Sequence, residues 1–282
     1  MITSFFERNP LDVVYMILLD LAQIEFQVIS GRMAQGFLLL IFGILTIFAL
    51  ELSKRRPERV KVRKIPAVEA IDEAIGRATE MGKPVFFSPG MSGIGALETL
   101  AALSILGDIA RKTARYGIPL IVANRYYTVY MAAEGIVKQA YTMEGKADMY
   151  QPEFVRFIAS EQFAYAQGCL GIFQRERPAA NFFLGYFYAE SLELAEAGYN
   201  IGAIQVAGTT STTQLPFFVA ACDYVLLGEE LYAAAAYITR DPKIIGVLFA
   251  HDLGKYISFI LLIVGIVLIT AGSRFLLDLL AK

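Results

Sequence analysis

A glycine-rich turn is the segment of this chain whose residue types and spacing best suit ligand binding. It reads FFSPGMSGIGALET over residues 86–99 and runs from an apolar stretch through three glycines into the predicted start of a helix. Free backbone N–H groups at a helix N-terminus, together with the helix dipole, favour a phosphate or a carboxylate. The order GxxGxG differs from the dinucleotide fingerprint GxGxxG, and no GxxxxGK[ST] motif occurs in the sequence. The turn therefore predicts either an anion site or a purely structural connection.

Two further polar loops follow predicted strands. Residues 208–213 read GTTSTT, and their five hydroxyls exceed the single one that a helix N-cap needs, although a solvated turn would look the same. Arg125 follows another strand and can clamp an anion, and the tyrosines at 126 and 127 can stack on a ring. Ligands bind beyond the carboxyl ends of parallel strands, so the three loops form one pocket if their strands are neighbours. The candidate ligand-binding residues are Ser88, Gly90, Ser92, Gly93, Gly95, Asn124, Arg125, Gly208, Thr209 and Thr210.

Residues for covalent or metal chemistry are scarce. The single histidine, His251, lies beside a predicted membrane span, and the sequence contains neither GxSxG nor HExxH. Cys169 and Cys222 are isolated, as expected of small buried residues rather than of a disulfide or a metal site. Glu190 and the pair Glu229 and Glu230 leave a paired-carboxylate acid/base site open as an alternative. Glu229 and Glu230 begin a predicted helix, where the helix dipole is a sufficient explanation for them. We therefore expect no metal site, and the sequence identifies no catalytic residue and no cofactor.

The composition predicts membrane helices combined with one soluble domain. Hydrophobic residues make up 56% of the 282 residues and charged residues 18%, which is too apolar for an ordinary soluble protein. Residues 33–52 are long enough to cross a bilayer, and residues 255–274 form a second, slightly short span whose flanking cations can snorkel. The basic linker 53–64 carries seven cations and one acid. Such a flank stays in the cytoplasm, so we expect a protein of the cell membrane with residues 65–254 as its cytoplasmic domain.

The two ends of the chain and the charge of the domain complete this picture. Residues 1–32 are expected to hold an amphipathic or membrane-associated helix, and a third span over residues 11–29 stays open as an alternative. Residues 275–282 form a short C-terminal tail. The domain 65–254 has 13 Lys and Arg against 20 Asp and Glu. This acidic balance argues against a nucleic-acid partner.

Apolar strands alternate with helices throughout the domain. This alternation predicts an α/β fold, a Rossmann-like parallel sheet with helices on both faces, flanked by the N- and C-terminal transmembrane helices. Residues 152–173 are predicted as one or two helices, and the helix from Ala189 is expected to close at Gly198. The other predicted helices are 67–81, 97–116, 128–144, 214–221 and 229–239, and the predicted strands are 84–88, 119–123, 180–185, 201–207 and 224–227.

Long phrases of the domain resemble a known family. They are AIGRATEMGKPVFFSPG, ERPAANFFLGYFYAESLELAEAGYNIGAIQVAGT and PFFVAACDYVLLGEELYAAAAYI, in this order. The chain resembles an uncharacterised membrane-protein family of bacteria and archaea that is known only as a domain of unknown function. The resemblance covers most of residues 65–255. It implies no activity, and it supports treating the domain and its membrane helices as one unit.

The remaining composition favours assembly. Aromatic residues crowd the stretch 154–188, and the alanine-rich stretch 231–238 permits close helix packing, so we expect a homo-oligomer in the lipid bilayer. The favoured function is a membrane-anchored scaffold or sensor with a site for a small anionic ligand. The alternative is a membrane-face enzyme acting on a nucleotide-like or lipid-linked substrate. The lack of a usable histidine, metal site or nucleophile motif favours the former, and the glycines and hydroxyls of the loops keep the latter open.

Overall fold

The computed structural model describes residues 33–55, 66–240 and 242–272. The predicted amphipathic segment 11–29, most of the basic linker and the C-terminal tail lie outside these ranges. By their contacts the described residues divide into two units, a larger one within 48–252 and a smaller one that holds 33–47 and 253–272.

Two helices are long and apolar enough to cross a membrane, judged by their length and composition. Helix α1 spans Met33–Arg55 and helix α9 spans Pro242–Thr270. The candidate spans within them are Gly36–Arg55 and Ile245–Thr270. The predicted span 33–52 therefore lies on α1, and the predicted span 255–274 lies on α9 as far as Thr270. Helix α9 begins at Pro242, which lies before the continuous apolar run.

The larger unit is built on a six-stranded parallel sheet. The strands are β1 (Val85–Gly90), β2 (Leu120–Asn124), β3 (Val155–Phe157), β4 (Ala180–Tyr186), β5 (Ile204–Thr209) and β6 (Tyr224–Leu227). Their order in the sheet is β3-β2-β1-β4-β5-β6. Every neighbouring pair is parallel, and this order places a topological switch point between β1 and β4. The predicted α/β, Rossmann-like class is confirmed.

Helices cover both faces of the sheet because successive strand residues point to opposite faces. The helices are α2 (Pro66–Met81), α3 (Leu97–Tyr116), α4 (Tyr127–Met143), α5 (Gln162–Glu176), α6 (Glu190–Asn200), α7 (Leu215–Ala221) and α8 (Glu230–Thr239). On one face, here called face A, residues such as Phe87 and Val122 pack with α2, α3, α4 and α8. On face B, residues such as Phe86 and Ala123 pack with α5, α6 and α7.

Two local predictions were wrong. The helices expected over 152–173 are in fact a 3-10 turn, the three-residue edge strand β3 and helix α5. The strand escapes a pattern search because only Val155 of its three residues is buried. Gly198 does not close α6 but lies inside it, where a Cβ atom would stand 2.0 Å from Gln205 Oε1 and 2.5 Å from Asn181 Nδ2. This glycine therefore makes room for two buried amides of the sheet.

The backbones of β1 and β4 meet closely at their carboxyl ends. Gly90 has a φ of 83° and Gly185 a φ of 138°. A Cβ atom on Gly185 would lie 2.2 Å from the carbonyl oxygen of Pro89. The amide of Met91 continues the contact by donating to the carbonyl of Tyr186 at 2.7 Å. The glycine-rich turn after β1 is therefore anchored to β4 at its first residues.

Candidate anion-binding site

The strand order decides which loops share the carboxyl edge of the sheet. Strands β1 and β2 are neighbours, so the turns after them lie side by side. Strand β4 separates β1 from β5, so the GTTSTT loop is not the immediate neighbour of the glycine-rich turn. The predicted residues therefore fall into a buried group within the sheet and a more accessible group above it.

Five of the ten predicted residues are buried in the framework: Ser88, Gly90, Asn124, Gly208 and Thr209. Ser88 Oγ lies 2.7 Å from the Tyr165 hydroxyl on face B, and it accepts a hydrogen bond from Gly90 N at 3.3 Å. Thr209 Oγ1 accepts from Ser211 N at 3.2 Å and so shapes its own loop. A Cβ on Gly208 would stand 3.0 Å from Leu226 Cβ, so this glycine serves packing.

Asn124, the last residue of β2, combines burial with an unused acceptor. Its Nδ2 donates to the carbonyls of Val122 and Arg156 at 3.2 and 3.3 Å. Within the part of the chain that the structure describes, its Oδ1 is buried without a hydrogen-bond partner. Such an orphaned acceptor is costly unless a donor reaches it.

The other five predicted residues, Ser92, Gly93, Gly95, Arg125 and Thr210, are half-buried or exposed above the sheet. Arg125 Nη1 donates to the carbonyl of Met91 at 3.0 Å, and its Nε donates to that of Ser160 at 2.9 Å. The guanidinium thus joins the turns after β1, β2 and β3. An arginine has five N–H donors, so the two carbonyls leave donors for a ligand.

Thr210 lies in a different polar cluster at the start of α3. Its Oγ1 donates to Glu98 Oε1 at 2.9 Å. Tyr232 of α8 contacts the same carboxylate, and burial together with the charge of Glu98 raises the pKa of the Tyr232 hydroxyl to about 12. The first turn of α3 therefore has an acidic flank toward α8, while Arg125 stands near the turn that precedes it. Neither Glu98 nor Tyr232 was among the ligand-binding residues predicted from the sequence. The sequence does show that Glu98 falls in the first turn of the predicted helix 97–116.

Three helices at this edge have a carboxylate of their own near the N-terminus. Glu161 accepts from Ala164 N at 2.7 Å as the cap of α5, and this backbone bond lowers the pKa of its carboxyl group. Glu190, fully buried at the start of α6, accepts from Tyr188 N at 2.7 Å and from Gln162 Nε2 at 2.6 Å. Glu230 of α8 accepts from Leu227 N at 3.0 Å. These ends already hold the negative charge that a helix dipole favours.

Among the described residues, no carboxylate accepts a hydrogen bond from a backbone amide at the N-terminus of α3 or α4, although α3 carries Glu98 in its first turn. Their N-cap residues, Ala96 and Tyr126, make no side-chain cap hydrogen bond within the described chain. The first backbone bonds of the two helices run from Leu100 N to Ala96 O and from Tyr130 N to Tyr126 O. The amides before them have no partner inside their helices. Arg125 therefore stands at the junction of two helix N-termini that have no side-chain cap.

Two surface cavities lie away from this edge. One of about 290 Å³ runs between α3, α4 and α8 and is lined by residues that include Ser104, Gly107 and Met143. Another, of about 420 Å³, lies near the amino ends of β2 and β3, with the ion pair of Arg156 and Glu176 in its wall. Neither contains a predicted ligand-binding residue.

The thiols are placed for packing. Cys169 is fully buried beside Tyr165, and burial raises its pKa to about 12. Burial also raises the pKa of Cys222 to about 12. In the described ranges, no three His, Cys, Asp or Glu side chains are grouped so that they could hold a metal ion. His251 is exposed on α9.

Comparison with known proteins identifies a family and no relative of known activity. Neither the curated proteins nor the solved structures contain a match to this chain. One family model matches residues 25–280, which includes the Rossmann-like domain and both apolar helices. The chain therefore belongs to the family described as the domain of unknown function DUF6754.

Proposed function

We propose that this protein is a membrane-anchored, homo-oligomeric module that binds a small anionic ligand between the N-termini of α3 and α4. The observation that carries the proposal is the position of Arg125 between two helix ends without a side-chain cap. The carboxylates at the ends of α5, α6 and α8 accept bonds from backbone amides, whereas Glu98 of α3 accepts one from Thr210 instead. A scaffold or sensor of this kind uses the ligand to bias its assembly and needs no catalytic residue.

Several groups at the proposed site can donate hydrogen bonds to a ligand. The turn after β1 contributes Ser92 and the backbone of Gly93 and Gly95, where a Cβ atom would meet nothing within 4 Å. Open space at these glycines lets a ligand approach the main chain. Arg125 contributes the charge, and its bond to Met91 O fixes it against the same turn. A phosphate or carboxylate held here gains charge-assisted hydrogen bonds.

The proposed membrane anchoring follows from α1 and α9, whose apolar spans have the length to cross a bilayer. The proposed assembly follows from apolar side chains exposed on α3 and α4. They are Leu97, Leu100, Met131 and Met143. Anchoring in a bilayer orients the copies alike, which favours a cyclic assembly.

The test uses full-length protein in nanodiscs, with inorganic phosphate as the probe and isothermal titration calorimetry as the readout. Arg125→Ala should weaken phosphate binding about tenfold to a hundredfold, because a charge-assisted hydrogen bond contributes ~1.5–3 kcal/mol. Arg77→Ala, which removes an exposed arginine of α2, should leave the affinity unchanged. Equal affinities in the Arg125→Ala and wild-type proteins would show that the anion site is absent.

A second variant tests the uncapped helix end directly. Ala96→Asp supplies a carboxylate at the N-cap of α3, where the backbone φ of −82° and ψ of 136° suit a capping residue. The new cap should stabilise the protein by about 1 kcal/mol and compete with phosphate for the same amides. A variant that is more stable and binds phosphate less tightly supports the site. Undiminished phosphate binding in a stabilised variant contradicts it.

A further inference from the structure

An exposed aromatic cluster stands beside the proposed anion site. It consists of Tyr126, Tyr127, Tyr130 and Phe157, and this set is called the aromatic cluster below. Tyr126 and Tyr127 directly follow Arg125 along the chain. Phe157 is the register partner of Asn124 on the neighbouring strand β3, which brings it to the same corner of the sheet.

The rings of the aromatic cluster are ordered by contacts with one another. Tyr127 stacks on Tyr130 with 5.5 Å between ring centroids and meets Phe157 edge to face at 6.3 Å. The Arg125 guanidinium lies over the Tyr126 ring at 5.1 Å from its centroid, in the geometry of a cation–π contact. One face of Tyr127 is thus supported by protein, and 63% of the residue still remains accessible to solvent.

Core packing accounts for Tyr130, which is half-buried against face A, but not for Tyr127 and Phe157. The aromatic residues of face B, such as Phe86, Phe173 and Phe183, pack on one another and are at most 1% exposed. Phe157 at 44% exposure and Tyr127 leave a large apolar area open at the surface. Exposed aromatic area of this kind marks a binding surface.

We infer that the ligand is a nucleotide, with its phosphate at Arg125 and the N-terminus of α3 and its base stacked on Tyr127; this rests on the proposed anion site. A supported aromatic ring with one open face is suited to stack a base, and every base presents such a face. The adjacent guanidinium supplies the complementary charge for the phosphate of the same molecule. A phosphate joined to a planar ring is the ligand class that uses both features together.

The test compares ligands with and without a ring in full-length protein in nanodiscs. The probes are inorganic phosphate, ribose 5-phosphate, AMP, GMP, CMP and UMP, and isothermal titration calorimetry gives each affinity. At least one nucleotide should bind about tenfold or more tightly than ribose 5-phosphate, as expected from stacking on one aromatic ring. Equal affinities for ribose 5-phosphate and all four nucleotides would overturn the inference.

Variants assign the difference to the aromatic cluster. Tyr127→Ala should remove the advantage of the nucleotide and leave ribose 5-phosphate binding unchanged, whereas Tyr127→Phe should keep both. Tyr199→Ala is the matched control, since Tyr199 is 70% exposed on α6. These residues lie largely in solvent, so the variants should fold, and circular dichroism checks this. An equal loss for both ligands in Tyr127→Ala would contradict stacking.

The outcomes separate this inference from the proposed function. If phosphate binding depends on Arg125 but nucleotides bind no more tightly than ribose 5-phosphate, the anion site is supported and the inference that the ligand is a nucleotide is overturned. Nucleotide binding that depends on Tyr127 but survives Arg125→Ala supports stacking and removes the anion site. Native mass spectrometry covers a third outcome: if Tyr127→Ala dissociates an oligomer without changing nucleotide affinity, the aromatic cluster is a contact between copies and the inference is overturned.

Discussion

Ser88 Oγ and the Tyr165 hydroxyl lie 2.7 Å apart in the interior of face B, where both residues are fully buried. Tyr165 donates to the carbonyl of Ala123 at 3.0 Å, so Ser88 donates to Tyr165 and in turn accepts from Gly90 N. The chain of bonds ties β1, β2 and α5 together beneath the carboxyl edge. It gives Ser88 a structural role although the residue stands in the glycine-rich segment.

Ser88→Ala should therefore lower stability and leave ligand binding intact. The substitution removes one buried hydroxyl and deprives Tyr165 of a partner, which costs ~1–2 kcal/mol. Thermal unfolding followed by near-UV circular dichroism measures the loss, since the chain has 15 Tyr and no Trp. Phosphate affinity at the proposed site should stay within twofold of wild type. A large drop in affinity without a change in stability would place Ser88 in the binding site instead.

The residues of the candidate site show how far the sequence predicts the structure. The turn after β1, the helix that follows it and the position of Arg125 at the end of β2 were all predictable from local pattern. The separation of β1 and β5 by β4 could not be predicted, because the order of strands in a sheet depends on long-range pairing. The burial of Ser88 and Thr209 depends on tertiary packing as well, because helices cover both faces of the sheet and every residue of β1 and β5 is buried.

Capping also escaped prediction because it depends on side-chain geometry. Glu161 and Glu190 are ordinary acids in the sequence, and only their bonds to backbone amides show that the ends of α5 and α6 are already occupied. The same applies to Glu98, whose carboxylate is directed to Thr210 across 112 residues of chain. Local sequence thus predicts the helix N-termini, and tertiary contacts decide which of them stay open.

The close approach of β1 and β4 predicts a large effect at Gly185. An alanine there would place its Cβ 2.2 Å from Pro89 O at a φ of 138°, so the main chain would have to move. We expect Gly185→Ala to destabilise the protein by about 3 kcal/mol or more. Gly135→Ala is the control, because a Cβ on this exposed residue of α4 meets nothing within 4 Å and should stabilise by ~0.5–1 kcal/mol. Similar thermal midpoints for the two variants would contradict the packing at this junction.

The buried thiol of Cys169 predicts a loss of stability in alkaline solution. Burial raises its pKa from an ordinary 9.0 to about 12 in the folded protein. The unfolded chain therefore releases the proton first, so the stabilisation is complete below about pH 9 and is lost as the pH rises toward 12. A single such group lowers the unfolding free energy by about 1 kcal/mol per pH unit in this window.

Differential scanning calorimetry at pH 7.5, 9.0 and 10.5 follows this effect. The thermal midpoint of the wild type should fall between the two higher values, and that of Cys169→Ala should fall less. Cys222→Ala provides the comparison, because burial raises the pKa of that thiol to about 12 as well. Parallel curves for wild type and both variants would mean that neither thiol is protected by burial.

The cavity between α3, α4 and α8 yields the prediction on assembly. Its floor includes the small residues Ser104 and Gly107, and Met143 on its wall is 67% exposed. If copies of the chain meet here, Met143→Glu places a charge in an apolar contact and should weaken association at least tenfold, since a desolvated unpaired charge costs several kcal/mol.

Leu192→Glu is the matched control on α6, where the leucine is 41% exposed on the opposite face of the sheet. Native mass spectrometry of protein released from nanodiscs should then show smaller assemblies for Met143→Glu than for Leu192→Glu. If the wild-type protein is a monomer, the proposed homo-oligomeric assembly is wrong. If Met143→Glu keeps the subunit number of the wild type, the interface does not lie at this cavity.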